Sequence, residues 1–287
     1  MRRRTVLALC GSGLAGCTSG QRTGTTTSGD GETTTSAGTT SGTATPPDDV
    51  ELSVEFDALQ PALVALNVDY LDLHSTSSSQ YLFLRVSASA DPAPARSDLS
   101  FRFDGGSYPP LEPTETPDLH REFDSESAPR YEADGGSGWV IFELPETGDA
   151  GDAAFVWPGG EWRPDGQVRA RLAAPFPPLS VERWEVEPTV ALGGRTSFRV
   201  AVTNAGDVLG RFVGGINAEG WQPHRPIAVI SRQIPPGETV AWDVPGEEVE
   251  LVSDGMADRV GDGEADIDYE FVWPGGSRSA SVRVVEG

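Results

Sequence analysis

An all-β chain, built as two tandem antiparallel β-sandwiches behind a disordered N-terminal tether, is what the sequence predicts, and three observations carry that expectation. Apolar residues alternate with polar ones through most of residues 50–287, so each segment buries one face and wets the other. Turn clusters such as Asp104-Gly105-Gly106, Ala205-Gly206-Asp207 and Pro235-Pro236-Gly237 separate those segments at the close spacing of antiparallel sheets. An internal repeat sets the number of domains: Phe155-Val156-Trp157-Pro158-Gly159-Gly160 recurs unchanged as Phe271-Val272-Trp273-Pro274-Gly275-Gly276.

The chain opens with Arg2, Arg3 and Arg4, an apolar stretch over residues 6–14, and the small residues Ala15 and Gly16, which is the layout of a secretory signal over residues 1–16. A membrane-spanning helix needs roughly 17–25 apolar residues, more than this stretch offers. Leu14-Ala15-Gly16-Cys17 resembles a lipobox, and Arg3-Arg4 before Thr5, Val6 and Leu7 resembles the twin-arginine export signal. These resemblances imply cleavage before Cys17, acylation of that cysteine, and an extracellular protein held on the outer face of the cytoplasmic membrane, with the lipid bilayer as its first partner. One acyl chain binds membranes only marginally, so the implied diacylglycerol matters. Cys10 leaves with the signal, so the mature chain keeps one cysteine and forms no internal disulfide.

Residues 17–49 are almost entirely Thr, Ser and Gly after the cysteine, and without an apolar face they cannot offset the entropy of ordering. They read as a tether spanning on the order of 30 Å, longer if sugars on the hydroxyls stiffen it.

The formal charge is −23, all 21 basic residues are Arg, and Lys is absent. A surface of this sign repels nucleic acid, and no basic cluster long enough to follow a phosphate backbone exists. Extreme acidity without Lys resembles proteins of salt-loving archaea. Their carboxylate-covered surfaces stay hydrated in molar salt, where a Debye length of roughly 3 Å hides self-repulsion.

The folded part divides into residues 50–176 and 177–287, with the boundary at the proline-rich residues 175–178. In the first half, Val64, Leu66, Val68 and Tyr70, then Leu82, Leu84 and Val86, then Leu99, Phe101 and Phe103, then Val168, Ala170 and Leu172 read as strands with one buried face. In the second half, Phe198, Val200 and Val202, then Val240, Trp242 and Val244, then Ile267, Tyr269, Phe271 and Trp273, then Ala280, Val282 and Val284 do the same. No stretch shows a helical face. The repeat extends beyond its identical core: Leu52-Ser53-Val54-Glu55 matches Leu179-Ser180-Val181-Glu182, and Leu84-Arg85-Val86 matches Phe198-Arg199-Val200, with about thirteen extra residues in the first copy between them.

Ser197-Phe198-Arg199-Val200-Ala201-Val202-Thr203-Asn204-Ala205-Gly206-Asp207, followed by Ile234-Pro235-Pro236-Gly237-Glu238-Thr239-Val240, resembles the immunoglobulin-like modules of prokaryotic surface proteins, CARDB-type adhesion domains among them. The resemblance covers roughly residues 179–287 and implies an immunoglobulin-like sandwich; the first half shares it through the repeat.

The chemistry is defined mainly by what is missing. Without Lys there is no P-loop lysine or Schiff base, and with Cys17 lipidated there is no thiol nucleophile or cysteine metal ligand. His74, His120 and His224 form no ligand pair, and no Gly-x-Ser-x-Gly elbow is present. Asp258, Asp262, Glu264, Asp266 and Asp268 make a dense acidic run that could hold a cation weakly, although their order departs from the EF-hand loop and suits an acidic hairpin. Trp157 and Trp273 could present rings to a carbohydrate or, as the more ordinary role, plug the sandwich while Pro-Gly-Gly turns the chain. No catalytic residue, cofactor or confident metal site is expected. The function expected is non-enzymatic binding to an envelope protein or polymer; the alternative is a ligand- or ion-binding accessory subunit of a membrane transport or redox complex.

Overall fold

The computed structural model describes residues 50–66, 69–89, 92–111, 130–220, 224–249 and 266–286. The expected signal, Cys17 and the tether lie outside them.

Two facing sheets build the first sandwich. β1 (Leu52–Gln60), β4 (Ser79–Ala88) and β7 (Ser137–Pro145) form one, in the order β1-β4-β7. β5 (Ser100–Phe103), β6 (Gly106–Tyr108), β8 (Ala154–Trp157) and β9 (Gly160–Trp162) form the other, in the order β6-β5-β8-β9. Leu82, Leu84, Val140 and Phe142 share one buried apolar core with Leu99, Phe101, Phe103 and Phe155. The Asp104-Gly105 turn joins β5 to β6 with both residues at positive φ, 51° and 69°, as a two-residue hairpin matched to strand twist requires.

The second sandwich repeats that plan. β10 (Leu179–Val186), β12 (Arg195–Asn204) and β15 (Thr239–Glu248) pair in the order β10-β12-β15. β11 (Thr189–Ala191), β13 (Gly210–Gly220), β14 (Arg225–Ile234), β16 (Ile267–Trp273) and β17 (Gly276–Val285) pair in the order β11-β17-β16-β13-β14. Strand for strand this is the first sandwich with β11 added; β11 runs parallel to β17, and the other strand pairs described are antiparallel. The duplication therefore reaches the whole topology, including a bulge in each first strand, between Phe56 and Ala58 and between Val181 and Arg183.

Register refines the repeat. Val54 pairs with Val86 and Val181 with Val202, so Val86 corresponds to Val202, two residues on from the Val200 that sequence matching offers. A slip of two keeps every side chain on its own face, which is why sequence similarity tolerates it.

Three expectations are corrected. β4 buries both faces: Leu82 and Leu84 point into the main core, while Tyr81 and Phe83 join Trp139, Ile141, Ala58 and Leu63 in a second apolar cluster behind the sheet. Val168, Ala170 and Leu172 lie on a helix, α1 (Gly166–Ala173), rather than a strand. Asp165 caps it by accepting from Val168 N at 2.9 Å, and the spacing of four between Val168 and Leu172 puts both on the packed face while Ala170 stays exposed. The run from Val64 to Tyr70 is divided: β2 (Leu63–Leu66) ends at Leu66 and pairs antiparallel with β3 (Leu71–His74), Tyr70 is 40% exposed, and Val68 lies outside the described residues. This hairpin supplies the extra residues of the first copy, and it packs on both sandwiches: Leu63 on the outer cluster of the first, Val64 and Leu71 on Val213 of the second.

Candidate binding cleft

A cleft of about 680 Å³ lies where the two halves meet. Its floor is the bulged part of β1, where Phe56, Ala58 and Leu59 stay paired with Leu84, Phe83 and Leu82 on either side of the bulge. Asp57 is the extra residue of that bulge, and Arg85 holds it at 3.6 Å.

α1 forms one wall. Gln80, fully buried in β4, donates from Nε2 to Leu172 O at 3.0 Å and to Pro145 O at 2.8 Å, fixing the end of the helix to the sheet beneath. Arg171 follows from the same face: its guanidinium stacks 4.4 Å from the centre of Phe176 and donates to Ala174 O at 3.1 Å. Burial lowers the Arg171 pKa from its ordinary value and Glu146 pushes it back, yet a guanidinium keeps its proton throughout the physiological range.

The opposite wall is the turn from β12 into β13, where the Asn204-Ala205-Gly206 turn meets the Pro235-Pro236-Gly237 corner. Asn204, fully buried, accepts from Gly206 N at 2.9 Å and donates to Val208 O at 2.8 Å and Ile234 O at 2.9 Å. One side chain thus ties the Asn-Ala-Gly turn to the Pro235-Pro236-Gly237 corner, which Gly237 N closes by donating to Gly206 O. Pro177 of the linker lies so close that a Cβ on Gly206 or Gly210 would sit 2.7 Å from its ring. The fixed turn leaves Leu209 pointing out, 44% exposed; it and Tyr70 are the exposed large apolar side chains among the described residues.

The cleft sets Phe56, Ala58, Leu59 and Leu209 beside the polar side chains of Arg171, Arg211, Gln167 and Gln233, a mixed lining of the kind found in ligand pockets. Sequence reasoning missed it because its residues come from four separate segments; only Asn204 and its turn carried a local signal.

The residues singled out from sequence fall elsewhere. Trp157 is 8% exposed inside the first core and donates from Nε1 to Val50 O at 2.7 Å. Trp273 is half-buried, with its ring 5.0 Å from Phe271 and the Arg278 guanidinium 6.0 Å away. In both copies Pro-Gly makes the turn, with Gly159 at φ 89° and Gly275 at φ 97°, and the indole lies across the following glycine. A Cβ on Gly160 would meet Trp157 Cζ2 at 2.6 Å, whereas on Gly276 it would meet Trp273 Cζ2 at 3.0 Å. Gly160→Ala should therefore cost about 1–3 kcal/mol and Gly276→Ala less than about 1 kcal/mol, because only the first ring is enclosed and tethered. Thermal denaturation of the two variants side by side checks the order.

Asp266 is buried and accepts from Val284 N at 2.8 Å, while Asp268 points to solvent and pairs with Ser281 at 2.5 Å. Asp258, Asp262 and Glu264 lie outside the described residues, as do Arg3, Arg4, Cys17 and His120. His74 is exposed at the end of β3, and His224 contacts Glu219 at 2.9 Å on the surface. Among the described residues no three His, Cys, Asp or Glu side chains gather as a metal site, and no helix is long and apolar enough to cross a membrane.

No protein family matches this chain, and no curated protein is similar to it. Among solved structures it shares partial likeness with a β-glucosidase from Erythrobacter marinus, at 15% identity and TM-score 0.30 over 38% of this chain and 16% of that one. A Listeria innocua β-glucosidase in complex with glucose matches at 12% identity and TM-score 0.30, over 45% and 18%. An Eisenbergiella tayi GH2 β-galacturonidase bound to galacturonate matches at 10% identity and TM-score 0.25, over 84% and 44%. The chain spans less than a fifth of those β-glucosidases and under half of the β-galacturonidase, and such likenesses carry neither activity nor substrate across.

Proposed function

We propose that this chain is a membrane-anchored extracellular lipoprotein that acts as a non-enzymatic binding protein of the cell envelope. Lipid on Cys17 holds it to the outer face of the cytoplasmic membrane, residues 18–49 act as the spacer, and the cleft beside Leu209 receives a partner protein or polymer. The observation that carries the binding part is Leu209 itself: a large apolar side chain held out to solvent by a fully hydrogen-bonded turn, at the mouth of a cleft with an apolar floor. The lipobox-like Leu14-Ala15-Gly16-Cys17 supports the anchoring part. The immunoglobulin-like, CARDB-type resemblance agrees with a surface role, and the acidic, Lys-free composition with a salt-loving host.

The test is done in molar salt with the full chain expressed in a salt-loving archaeal host. The wild-type protein is expected in the membrane fraction, released only by detergent, and Cys17→Ala in the soluble fraction. A Cys17→Ala protein that stayed with membranes would overturn the lipid anchor. Leu209→Arg is expected to remain membrane-bound while losing the species that cross-links to wild type. Unchanged cross-linking by Leu209→Arg would remove the cleft from the proposal.

A further inference from the structure

We infer that the β2–β3 hairpin is a latch that couples the two sandwiches into one cooperative unit, with Asn217 as its catch. In the second copy, the link between the first and second strands carries β11, which completes its own sandwich by pairing with β17. In the first copy, the same link carries β2 and β3, which stay attached to their own sandwich through Leu63, buried with Phe83 and Trp139, and cover the outer face of the other one. Ala62, Val64 and Leu71 pack there against Val213 of β13, 1% exposed, with Leu73 and Val229 at the margin.

The contact is specific as well as apolar. Asn217, 6% exposed on β13, accepts from Leu71 N at 2.7 Å and donates to Leu71 O at 3.0 Å. A side-chain amide here completes the donor and acceptor pair that a neighbouring strand would otherwise supply, joining residues 146 apart in sequence. Two residues earlier on the same face, Gly215 lets the hairpin come this close: a Cβ there would lie 3.0 Å from Leu71 Cβ. Opening the latch would expose Val213, Val229 and Leu71 together and would strip two buried amides of their partners, so neither sandwich opens there independently of the other.

The full mature chain is examined by scanning calorimetry in molar salt, together with amide exchange at Leu71. Wild type is expected to unfold in one transition with calorimetric and van't Hoff enthalpies equal. Asn217→Asp replaces the donor with a charge and is expected to split the transition in two and to speed exchange at Leu71 by about 10- to 100-fold. Leu71→Ala, which loosens the latch from the hairpin side without placing a charge in β13, is expected to produce the same split and decides the matter if Asn217→Asp fails to fold. Asn204→Ala, which weakens the second sandwich away from the hairpin, is expected to lower one undivided transition. Two transitions in wild type, or an undivided transition in the latch variants, would overturn the inference. The readout does not involve a ligand, so it stands apart from the binding proposal.

Discussion

Phe271→Ala is expected to lower stability by about 3–5 kcal/mol, the range for emptying a fully buried aromatic site. Phe271 is 0% exposed and sits between rings on three sides: Trp184 and Trp273 at 5.0 Å and Phe212 at 6.0 Å. These neighbours are large, rigid and held by their own strands, so they cannot collapse into the space a lost ring leaves. Phe155 holds the matching place in the first repeat, 5.8 Å from Phe142 and 5.5 Å from Trp157, and Phe155→Ala should cost a similar amount. Thermal denaturation in molar salt measures both. A loss below about 1 kcal/mol for either would mean that the repeated motif is not the keystone of its sandwich.

The alternation that makes strands legible is a statement about one buried face, and it works where that condition holds. Phe198, Val200 and Val202, or Leu99, Phe101 and Phe103, were readable because Arg199, Ser100 and Arg102 between them reach water and the buried Ala201 is too small to mask the period. β4 shows the limit: with apolar layers on both sides its sequence is a continuous apolar run, and the second cluster behind it leaves no period-two trace. α1 fails for a different reason. Three apolar residues at spacing two satisfy a strand template, but eight residues are too few to display a helical period, and the capping carboxylate of Asp165 was the better local evidence. The hairpin could not be read at all, since whether Leu71 meets its own sandwich or another is fixed by Asn217 and Gly215, which lie far along the chain.

The two copies show how a duplicated sandwich diverges without losing its core. The facing sheets and the Phe-Val-Trp-Pro-Gly-Gly hairpin stay, because each carries packing that one substitution cannot replace. The link after the first strand is free to vary, since it runs outside the core; one copy uses it on its own edge and the other to bridge its own outer cluster and its neighbour. The cleft follows from the same divergence. α1 of the first half and the turn held by Asn204 in the second wall the same space, and neither half encloses it alone.

Tyr81 and Tyr131 should make stability fall steeply between pH 10 and 12. Burial raises both phenols to about 12, with Glu143 adding to the effect at Tyr81 and Asp98 at Tyr131. Both rings are enclosed, at 3% and 0% exposure, and the Tyr131 hydroxyl donates to Pro94 O at 2.9 Å, a bond that a phenolate cannot make. The folded value lies above the value near 10 of an unfolded tyrosine. Each group's contribution is therefore fully present below pH 10 and is lost as pH rises through 12, on the order of 2–3 kcal/mol per tyrosine. In a titration followed by tyrosinate absorbance, Tyr81 and Tyr131 should ionise late and together with unfolding. Tyr81→Phe removes one of them and should remove about half of the alkaline loss, while Tyr131→Phe should also lower stability at neutral pH by leaving the buried Pro94 carbonyl unpaired. Ionisation of both near pH 10 with the fold intact would show that these two rings are open to water.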